Sequence, residues 1–474
     1  MEHVRRAGRA LAGLLARFGV IEAARLRATV DLAWPRIVTG FAIMSKRTVD
    51  LAIVGWAIGS TAVAGLTLAN AYWMLGKFVA IGLAGGTIAL VSQNYGGGET
   101  GRASLIVRQS LLVAVALAIP IVAVFGFGAR PLVSLLGGDP TAIGYGAAYL
   151  TVVAPGILFE FCNLISSRTY AGVGDTITPM VLRASGAVLN VALSVAFVFG
   201  AGMGVVGAAL GTTISTAVVT VAFAWGMTGR SYFGRGASPV PITRTDSAAT
   251  FDPTLVRQLA TVSVPLVARR TAQGLVVFPL LAIAATFGPV AVAAVGVGRQ
   301  VRALLNSFTW GFSIASSTLV GQALGRGDEP IAEAYGREIT QLSVVLYVLV
   351  AVVVFALARP VASVFVDAPA DVDLATAFVR VAAVSVLPLG IDGSVTGALR
   401  GAGDTRVPFV ATMLGLYVFA LPLAWLGTVT ALGVLALQAA LLVETVVPMA
   451  VNVLRFRSDR WKVVSRSYRP SADD

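Results

Sequence analysis

Four acidic residues lie well inside long apolar segments of the chain: Asp50, Glu160, Asp392 and Glu444. A carboxylate at the centre of a lipid bilayer costs roughly 2.5–3.5 kcal/mol on insertion scales, so such residues are usually functional or paired with a cation. The single histidine, His3, lies at the terminus. Proton or cation chemistry within the apolar segments therefore falls to these carboxylates and to neutral oxygen ligands beside them.

The elements that must position these acids are membrane-spanning helices. Hydrophobic residues make up 57% of the 474 residues and charged residues only 12%. The apolar runs are continuous, which favours helices of about 20 residues or more over the alternating strands of a barrel. Twelve spans are predicted, near residues 32–57, 63–92, 104–128, 141–168, 177–200, 205–228, 255–286, 291–320, 334–357, 372–399, 406–426 and 431–453.

The second half of the chain repeats the first. SQNYGGG at 92–98 corresponds to GQALGRG at 321–327, and AGVGDTITPM at 171–180 corresponds to RGAGDTRVPF at 400–409. An internal repeat in so apolar a chain is typical of transporters built from two halves. The predicted division is a basic N-terminal arm at 1–30, a six-helix bundle at 31–228, a linker at 229–253, a second six-helix bundle at 254–455 and a tail at 456–474.

The net charge of +12 comes largely from Lys and Arg outside the spans. They concentrate in the arm, the linker and the tail, while the opposite loops offer little beyond Arg130 and Arg359. Because basic loops favour the cytoplasmic side, both termini are predicted to be cytoplasmic. Anionic membrane lipid is then the nearer partner for this charge, and nucleic acid is not expected.

The sequence does not favour an enzyme. It contains no HExxH, GxSxG or Walker-type phosphate loop. Cys162 is the only cysteine, so no intrachain disulfide can form. No cofactor is expected other than a coupling ion.

Several motifs together resemble the multidrug and toxic compound extrusion (MATE) family, nearest its DinF-like branch. They are the GxGDTxxP turns, the SQNYGGG and GQALGRG turns, and TVDLAIVG at 48–55, and the similarity runs from about residue 30 to 455. The resemblance implies an all-α integral membrane protein with two pseudo-symmetric six-helix bundles around a central cavity. It further implies a monomer in the plasma membrane that exports small organic compounds against inward flow of Na+ or H+.

The resemblance also assigns a coupling site. Asp50 matches the family's acidic residue of span 1, and Asn190, Ser194 and Thr212 are placed around it, with Tyr149 and Asn163 on span 4 as weaker members. A carboxylate with amide and hydroxyl oxygens suits Na+, which Asp50, Asn190 and Thr212 would hold.

Two features qualify this site. Family members of this branch carry a second acid where this chain has Ser194, which reduces the attraction for Na+. Lys46 and Arg47 stand four and three residues before Asp50. A permanent ion pair between Asp50 and one of them is therefore a purely structural alternative.

The second half does not repeat the site. Residues 229 positions after Asp50, Asn190 and Thr212 are Pro279, Phe419 and Leu441, whose side chains cannot bind an ion. The second half instead has Asp392 on span 10, with Gln273 and the pair Arg269 and Arg270 on span 7. A second Na+ site is therefore doubtful, and balancing the arginines is an alternative role for Asp392.

Arg299 and Arg302 on span 8 suggest a basic cavity that favours anionic or zwitterionic substrates. Trp73 and Trp310 could add flat apolar contact for aromatic compounds, although such residues are more often core or interface anchors. Pro35 and Pro265 lie early in spans 1 and 7, where a missing N–H permits bending.

A flippase for anionic lipid-linked precursors is the alternative function, since intramembrane Arg and Lys would suit such substrates. The sequence leaves open the substrate, the coupling ion, the resting conformation and the oligomeric state.

Overall fold

The computed structural model describes residues 21–232, 237–242, 251–365 and 369–468, and within these ranges the chain is built from helices joined by short turns. Six-residue or longer α-helices in chain order are α1 Ala23–Ala57, α2 Ser60–Gly96, α3 Thr100–Phe127, α4 Ala129–Leu135, α5 Pro140–Gly172, α6 Ile177–Val195, α7 Gly204–Met227, α8 Pro253–Leu275, α9 Val277–Ala285, α10 Pro289–Gly325, α11 Glu329–Ala356, α12 Ala358–Ser363, α13 Pro369–Gly401, α14 Arg406–Met413, α15 Leu421–Val429, α16 Val434–Arg457 and α17 Arg460–Arg466. Two π-helical stretches, Ala196–Gly200 and Leu414–Ala420, follow α6 and α14.

Most of the long helices are apolar enough to cross a membrane. Within the described residues, ten candidate spans satisfy both length and composition. Two further long helices, α1 with 35 residues and α10 with 37, carry charged residues along their length, among them Lys46 and Asp50 in α1 and Arg299 and Arg302 in α10. The chain is a multi-pass membrane protein, and the predicted all-α fold is confirmed.

Matching glycine turns join the helices of the two halves. Gly98 and Gly327 have φ angles of 86° and 81°, and Gly174 and Gly403 have φ angles of 97° and 81°. Glycine reaches these left-handed conformations without a Cβ clash, which lets each helix end sharply. Asp175, beside Gly174, accepts hydrogen bonds from the backbone N–H groups of the next helix at 2.9 and 3.0 Å. The turns therefore have the structural role that their sequence predicts.

The chain divides into two compact units. One contains residues 38–267, and the other contains the described residues before 38 together with those from 268 onward. This grouping differs from the predicted bundles at 31–228 and 254–455 in one respect, because α1 and α8 each begin in one unit and end in the other.

Glycines allow the first parts of α1 and α8 to pack closely against other helices of the units in which they begin. A Cβ at Gly311 in α10 would lie 2.6 Å from a side-chain carbon of Ile37 in α1. A Cβ at Gly82 in α2 would lie 2.6 Å from the backbone nitrogen of Val267 in α8. Since real Cβ contacts are not so short, each close approach requires glycine.

Parts of the predicted N-terminal arm and C-terminal tail form helices that contact other helices. The first helix begins at Ala23, inside the predicted arm 1–30, and Arg25 forms two hydrogen bonds of 2.8 Å to Glu338. Residues 1–20 of that arm lie outside the described residues. In the predicted tail 456–474, Trp461 of α17 is fully buried and Lys462 contacts Glu333 at 2.6 Å.

Candidate ion-coupling site

Asp50 lies in the C-terminal part of α1, which ends at Ala57, and is only 7% exposed. The Ser194 hydroxyl donates to one carboxylate oxygen at 3.1 Å. With its amide nitrogen turned toward Asp50, Asn190 donates to both oxygens at 3.0 and 3.1 Å, and its amide oxygen accepts from the Thr212 hydroxyl at 3.0 Å. This orientation satisfies both neighbours of the amide. The four side chains that the resemblance assigned to one site do lie together.

Helix geometry explains why Asn190 and Ser194 both reach Asp50. They are four residues apart on α6, and residues at that spacing share one face of a helix. Both side chains are fully buried. The π-helical stretch Ala196–Gly200 begins immediately afterwards, and such stretches are frequent beside functional sites.

Gly211 is a positioning residue that the sequence reasoning missed. A Cβ at this position in α7 would lie 2.8 Å from the Ser194 hydroxyl oxygen and 3.0 Å from its backbone nitrogen. The missing side chain therefore lets α7 approach α6 closely, and it places Thr212 beside Asn190. Gly207 and Gly211 are four residues apart, which is the small-residue spacing of closely packed membrane helices, and this signal could have identified them.

Tyr149 and Asn163 on α5 have different positions relative to this site. The buried Tyr149 hydroxyl lies close enough to Thr212 and Asp50 to interact with both. The Asn163 amide instead donates to the backbone carbonyl of Thr216 at 3.0 Å, one turn further along α7. Tyr149 therefore belongs with the Asp50 site, and Asn163 does not contact the carboxylate.

The basic residues near Asp50 are not ion-paired with it. Among the described residues, neither Lys46 nor Arg47 forms a salt bridge to this carboxylate, although the charge of Asp50 still acts on Lys46. The second acid of this unit, Glu160, is held by Lys77 at 2.8 Å and Arg183 at 2.9 Å. Among the described residues, the hydrogen-bond donors to Asp50 are thus neutral, whereas Glu160 forms salt bridges with two cations.

Neutral oxygens surround a single carboxylate at Asp50. Within the described ranges, no three His, Cys, Asp or Glu side chains come together as a metal cluster would require. An ion bound here would be held by the Asp50 carboxylate together with the hydroxyls of Ser194 and Thr212 and the amide of Asn190. Such a set fits a proton or a hard monovalent cation.

Asp392, an acid of the second half, forms a salt bridge with Arg269. The Arg269 guanidinium contacts it at 2.7 Å and also donates to the Thr412 hydroxyl at 2.8 Å. The Asn452 amide donates to the other carboxylate oxygen at 2.7 Å. An arginine side chain therefore occupies the position beside this carboxylate that a free cation would need.

Glu444 neutralises part of the predicted basic cavity. Both Arg299 and Arg302 form salt bridges to its carboxylate, and Arg302 also donates to the carbonyl of Leu441 at 3.2 Å. The negative charge of Glu444 offsets one of the two arginine charges, so less net positive charge remains here than the sequence suggested. The reason is that Glu444 comes from α16, a helix distant in sequence.

The two tryptophans predicted to contact a substrate, Trp73 and Trp310, are half-buried and already contact other parts of the protein. A ring carbon of Trp73 would lie 3.2 Å from a Cβ at Gly156, and the guanidinium of Arg36 lies 5.5 Å from the ring centre of Trp310. Gln273 accepts a hydrogen bond from Arg270 at 3.1 Å. These contacts resemble core packing more than a free surface for a substrate.

Pro35 and Pro265 lie inside α1 and α8, the two helices that pass from one compact unit to the other. The unit boundaries fall at 37/38 and 267/268, a few residues after each proline. Proline removes one backbone hydrogen bond from a helix and permits a kink. The predicted bending points therefore coincide with the passages between units.

These observations define a multi-pass helical protein of two related halves, with the buried carboxylate of Asp50 hydrogen-bonded to neutral side chains in the first half. A family model described as MatE matches residues 35–196 and 265–426, one stretch in each half. The chain belongs to this family.

Similar proteins cover nearly the whole chain. It is 27% identical to the "Probable multidrug resistance protein NorM" of Bradyrhizobium diazoefficiens over 90% of this chain and 92% of that protein. It is 22% identical to the "Multidrug resistance protein MdtK" of Edwardsiella ictaluri over 85% and 88%, respectively.

Solved structures show the same fold. One described as an "Outward-facing conformation of a multidrug resistance MATE family transporter of the MOP superfamily" has a TM-score of 0.84 at 21% identity, covering 93% of this chain and 96% of that one. A crystal structure of "MATE in the bent conformation" has a TM-score of 0.85 at 21% identity, covering 94% and 97%. These structures confirm the predicted two-bundle fold of twelve membrane helices.

Proposed function

We propose that this protein is a secondary active antiporter that exports organic compounds, in the manner of a multidrug exporter, driven by inward flow of Na+ or H+. The observation that carries this proposal is the Asp50 carboxylate, which is buried in a membrane helix, accepts hydrogen bonds from neutral donors and forms no salt bridge with any residue that the structure describes. An acid that costs free energy to bury and has no cation of its own is poised to bind one reversibly. The multidrug resistance names of the similar proteins support export of small organic compounds.

In the proposed cycle, Asp50 alternates between an ion-free and an ion-bound state. The ion-free carboxylate is stabilised by hydrogen bonds from Ser194 and Asn190. When H+ or Na+ neutralises the carboxylate, these hydrogen bonds weaken. The Asn190 amide can then rotate so that its oxygen faces the carboxyl proton or the Na+. This loss of the negative charge on Asp50 is the step that would favour one state of the transporter, open to one side of the membrane, over the state open to the other side.

The second half would take no ion in this cycle. Arg269 acts as a tethered cation on Asp392, so an incoming Na+ would have to displace a guanidinium held at 2.7 Å. Coupling through the first half alone agrees with the duplication, which left no ion-binding side chains at the positions equivalent to Asp50, Asn190 and Thr212.

The change between these two states would involve bending of α1 and α8. Each contains a proline close to the residue at which it passes between the compact units. Since Asp50 lies further along α1 than Pro35, a bend at the proline could link ion binding at Asp50 to rearrangement of the units.

The finer features of the proposal are a DinF-like branch, a location in the cell membrane with both termini cytoplasmic, and a monomer that needs no cofactor and performs no enzymatic reaction. A flippase for lipid-linked precursors is not favoured, because the similar proteins carry multidrug resistance names.

The test is gradient-driven transport in proteoliposomes. The wild type and Asp50→Asn would be compared with ethidium and with acidic dyes, under an imposed pH gradient and then under a Na+ gradient. We expect one gradient to drive export by the wild type and Asp50→Asn to abolish it while the protein stays monodisperse. Asp373→Asn, which removes an exposed carboxylate paired with Arg359, is the matched control and should transport normally. Full export by Asp50→Asn would refute the proposed role.

A further inference from the structure

Among the described residues, Arg270 and Arg400 form hydrogen bonds to neutral acceptors only. In the part of the chain that the structure describes, neither Arg270 nor Arg400 forms a salt bridge. Arg270 donates to the amide oxygen of Gln273 at 3.1 Å. Arg400 donates to the hydroxyls of Ser313 and Ser317, both at 3.2 Å, and to the Ser313 carbonyl at 2.8 Å. All of these acceptors are neutral.

The two charges belong to one cluster with Arg269. Arg400 lies close enough to Arg270 and Arg269 for their charges to act on it. Among the described residues, the acid beside these arginines is Asp392, whose charge also acts on Arg270 but which forms its salt bridge with Arg269, at 2.7 Å. Two positive charges therefore remain in excess. Like charges in a place of low dielectric constant repel strongly, and an anion bound between them would relieve that repulsion.

Each of the two guanidinium groups has N–H donors that make no hydrogen bond to a described residue. A guanidinium has five N–H donors. Arg270 uses one nitrogen for Gln273, and Arg400 uses two nitrogens for the serines. Both residues are partly exposed rather than fully buried.

Two glycines bring α13 close to α10 beside this cluster. Gly397 and Gly401 lie on the face of α13 that contacts α10, where a Cβ would come within 2.5 Å of the Ser313 carbonyl oxygen and 2.6 Å of the Ser317 carbonyl oxygen. This close helix packing is what lets Arg400 reach both serine hydroxyls. The first half has Phe41 and Ala171 at the positions 229 residues before Arg270 and Arg400, so only one half has the cluster.

We propose that Arg270 and Arg400 form a binding site for the acidic group of an organic substrate, a carboxylate or a sulfonate. Guanidinium groups match the planar geometry of these anions and bind them through paired hydrogen bonds. Gln273 and the serine hydroxyls of α10 hold the two arginines in place. This inference rests on the proposed export function and assigns its substrate class, and it moves the predicted basic site from the Glu444-paired Arg299 and Arg302 to this cluster.

The experiment compares two probes that share an aromatic group and differ in charge, pyrenebutyrate and pyrenebutyltrimethylammonium. Binding to the full-length protein in phosphatidylcholine nanodiscs is measured by energy transfer from tryptophan, with no ion gradient. The neutral lipid keeps anionic headgroups away from the site. Arg270→Gln is the main variant because its contact lies on its own helix, and Arg400→Gln is the second. Arg359→Gln, which removes an exposed surface arginine, is the matched control.

We expect the wild type to bind the anion more tightly than the cation. Arg270→Gln should weaken anion binding roughly tenfold, the effect of losing hydrogen bonds to a charged group, and leave cation binding unchanged. Arg359→Gln should bind both probes as the wild type does. Equal binding of the two probes by the wild type would overturn the proposal even if the variants failed to fold, and so would unchanged anion binding in a folded Arg270→Gln.

The test separates this inference from the proposed export function. Binding without a gradient does not depend on Asp50, so Asp50→Asn should retain the anion preference. Gradient-driven export of ethidium without any anion preference would leave the export function intact and refute the anion site. An anion preference sensitive to Arg270, without transport under either gradient, would refute the export function and keep the site.

Discussion

Replacing Gly211 with alanine tests the geometry of the coupling site without removing any of its polar groups. The new Cβ would lie 2.8 Å from the Ser194 hydroxyl oxygen and 3.0 Å from the Ser194 backbone nitrogen. Both distances are shorter than ordinary contacts, so α6 and α7 must separate or Ser194 must rotate. Either response lengthens the 3.1 Å hydrogen bond from Ser194 to Asp50.

The expected size of the effect follows from three contributions. Alanine stabilises a helix interior by about 1 kcal/mol relative to glycine. Overpacking costs about 1–3 kcal/mol. A hydrogen bond to a charged group contributes about 1.5–3 kcal/mol. Gly211→Ala should therefore change the half-saturating concentration of the coupling ion by about tenfold or more, with stability unchanged or reduced by up to about 2 kcal/mol.

The control is Gly144→Ala in α5, where no atom lies within 4 Å of the added Cβ. It should be neutral or slightly stabilising and should leave ion dependence unchanged. The assay is initial transport rate in proteoliposomes as a function of pH and of Na+ concentration, alongside thermal unfolding. Normal ion dependence in a folded Gly211→Ala protein would refute the argument that close packing at Gly211 holds Ser194 on Asp50.

The direction of the change should also identify the ion. The Ser194 hydroxyl stabilises the ion-free carboxylate by donating to it, so losing this bond should let H+ bind at lower concentration. If Na+ is the ion, the hydroxyl oxygen is a ligand, and its loss should require more Na+.

Two further predictions concern stability and motion. Glu160→Gln leaves Lys77 and Arg183 buried without their shared acid, so unfolding experiments should show a loss of about 3–5 kcal/mol; the exposed Asp373→Asn should lose less than about 1 kcal/mol, and equal losses would contradict the role of burial. Pro35→Ala restores a helix hydrogen bond at the bending point of α1, so spin-label distance measurements should show less conformational exchange and transport assays a slower turnover, whereas unchanged values would remove the proline from the mechanism.

Much of the fold could be predicted from the sequence because its signals are local or repeated. Continuous apolar runs gave the spans, and the repeated turns gave the two halves. Asp50 was found because an acid in an apolar helix is conspicuous and because it matches the family's acidic residue of span 1, and its neighbours Asn190 and Ser194 followed from family resemblance and a four-residue spacing. These signals require no knowledge of how distant helices pack.

Features that depend on distant helices were not predictable in this way. Arg299 and Arg302 looked unbalanced until α16 brought Glu444 to them. Composition could not show which of the several arginines in the spans forms no salt bridge, because each pairing joins helices far apart in sequence. Gly211 was overlooked for a similar reason, since its importance lies in the side chain of Ser194 that it accommodates.

The passage of α1 and α8 between the compact units has an evolutionary consequence. In each half, the beginning of the first helix packs within the unit formed mostly by the other half, with Gly311 and Gly82 as equivalent contact points. If an ancestor consisted of one half, its first helix would have lacked this partner within its own chain. Such an ancestor would have been stable as a pair of identical chains that exchange their first helices, as in domain swapping. Gene duplication would then have joined a swapped dimer into one polypeptide.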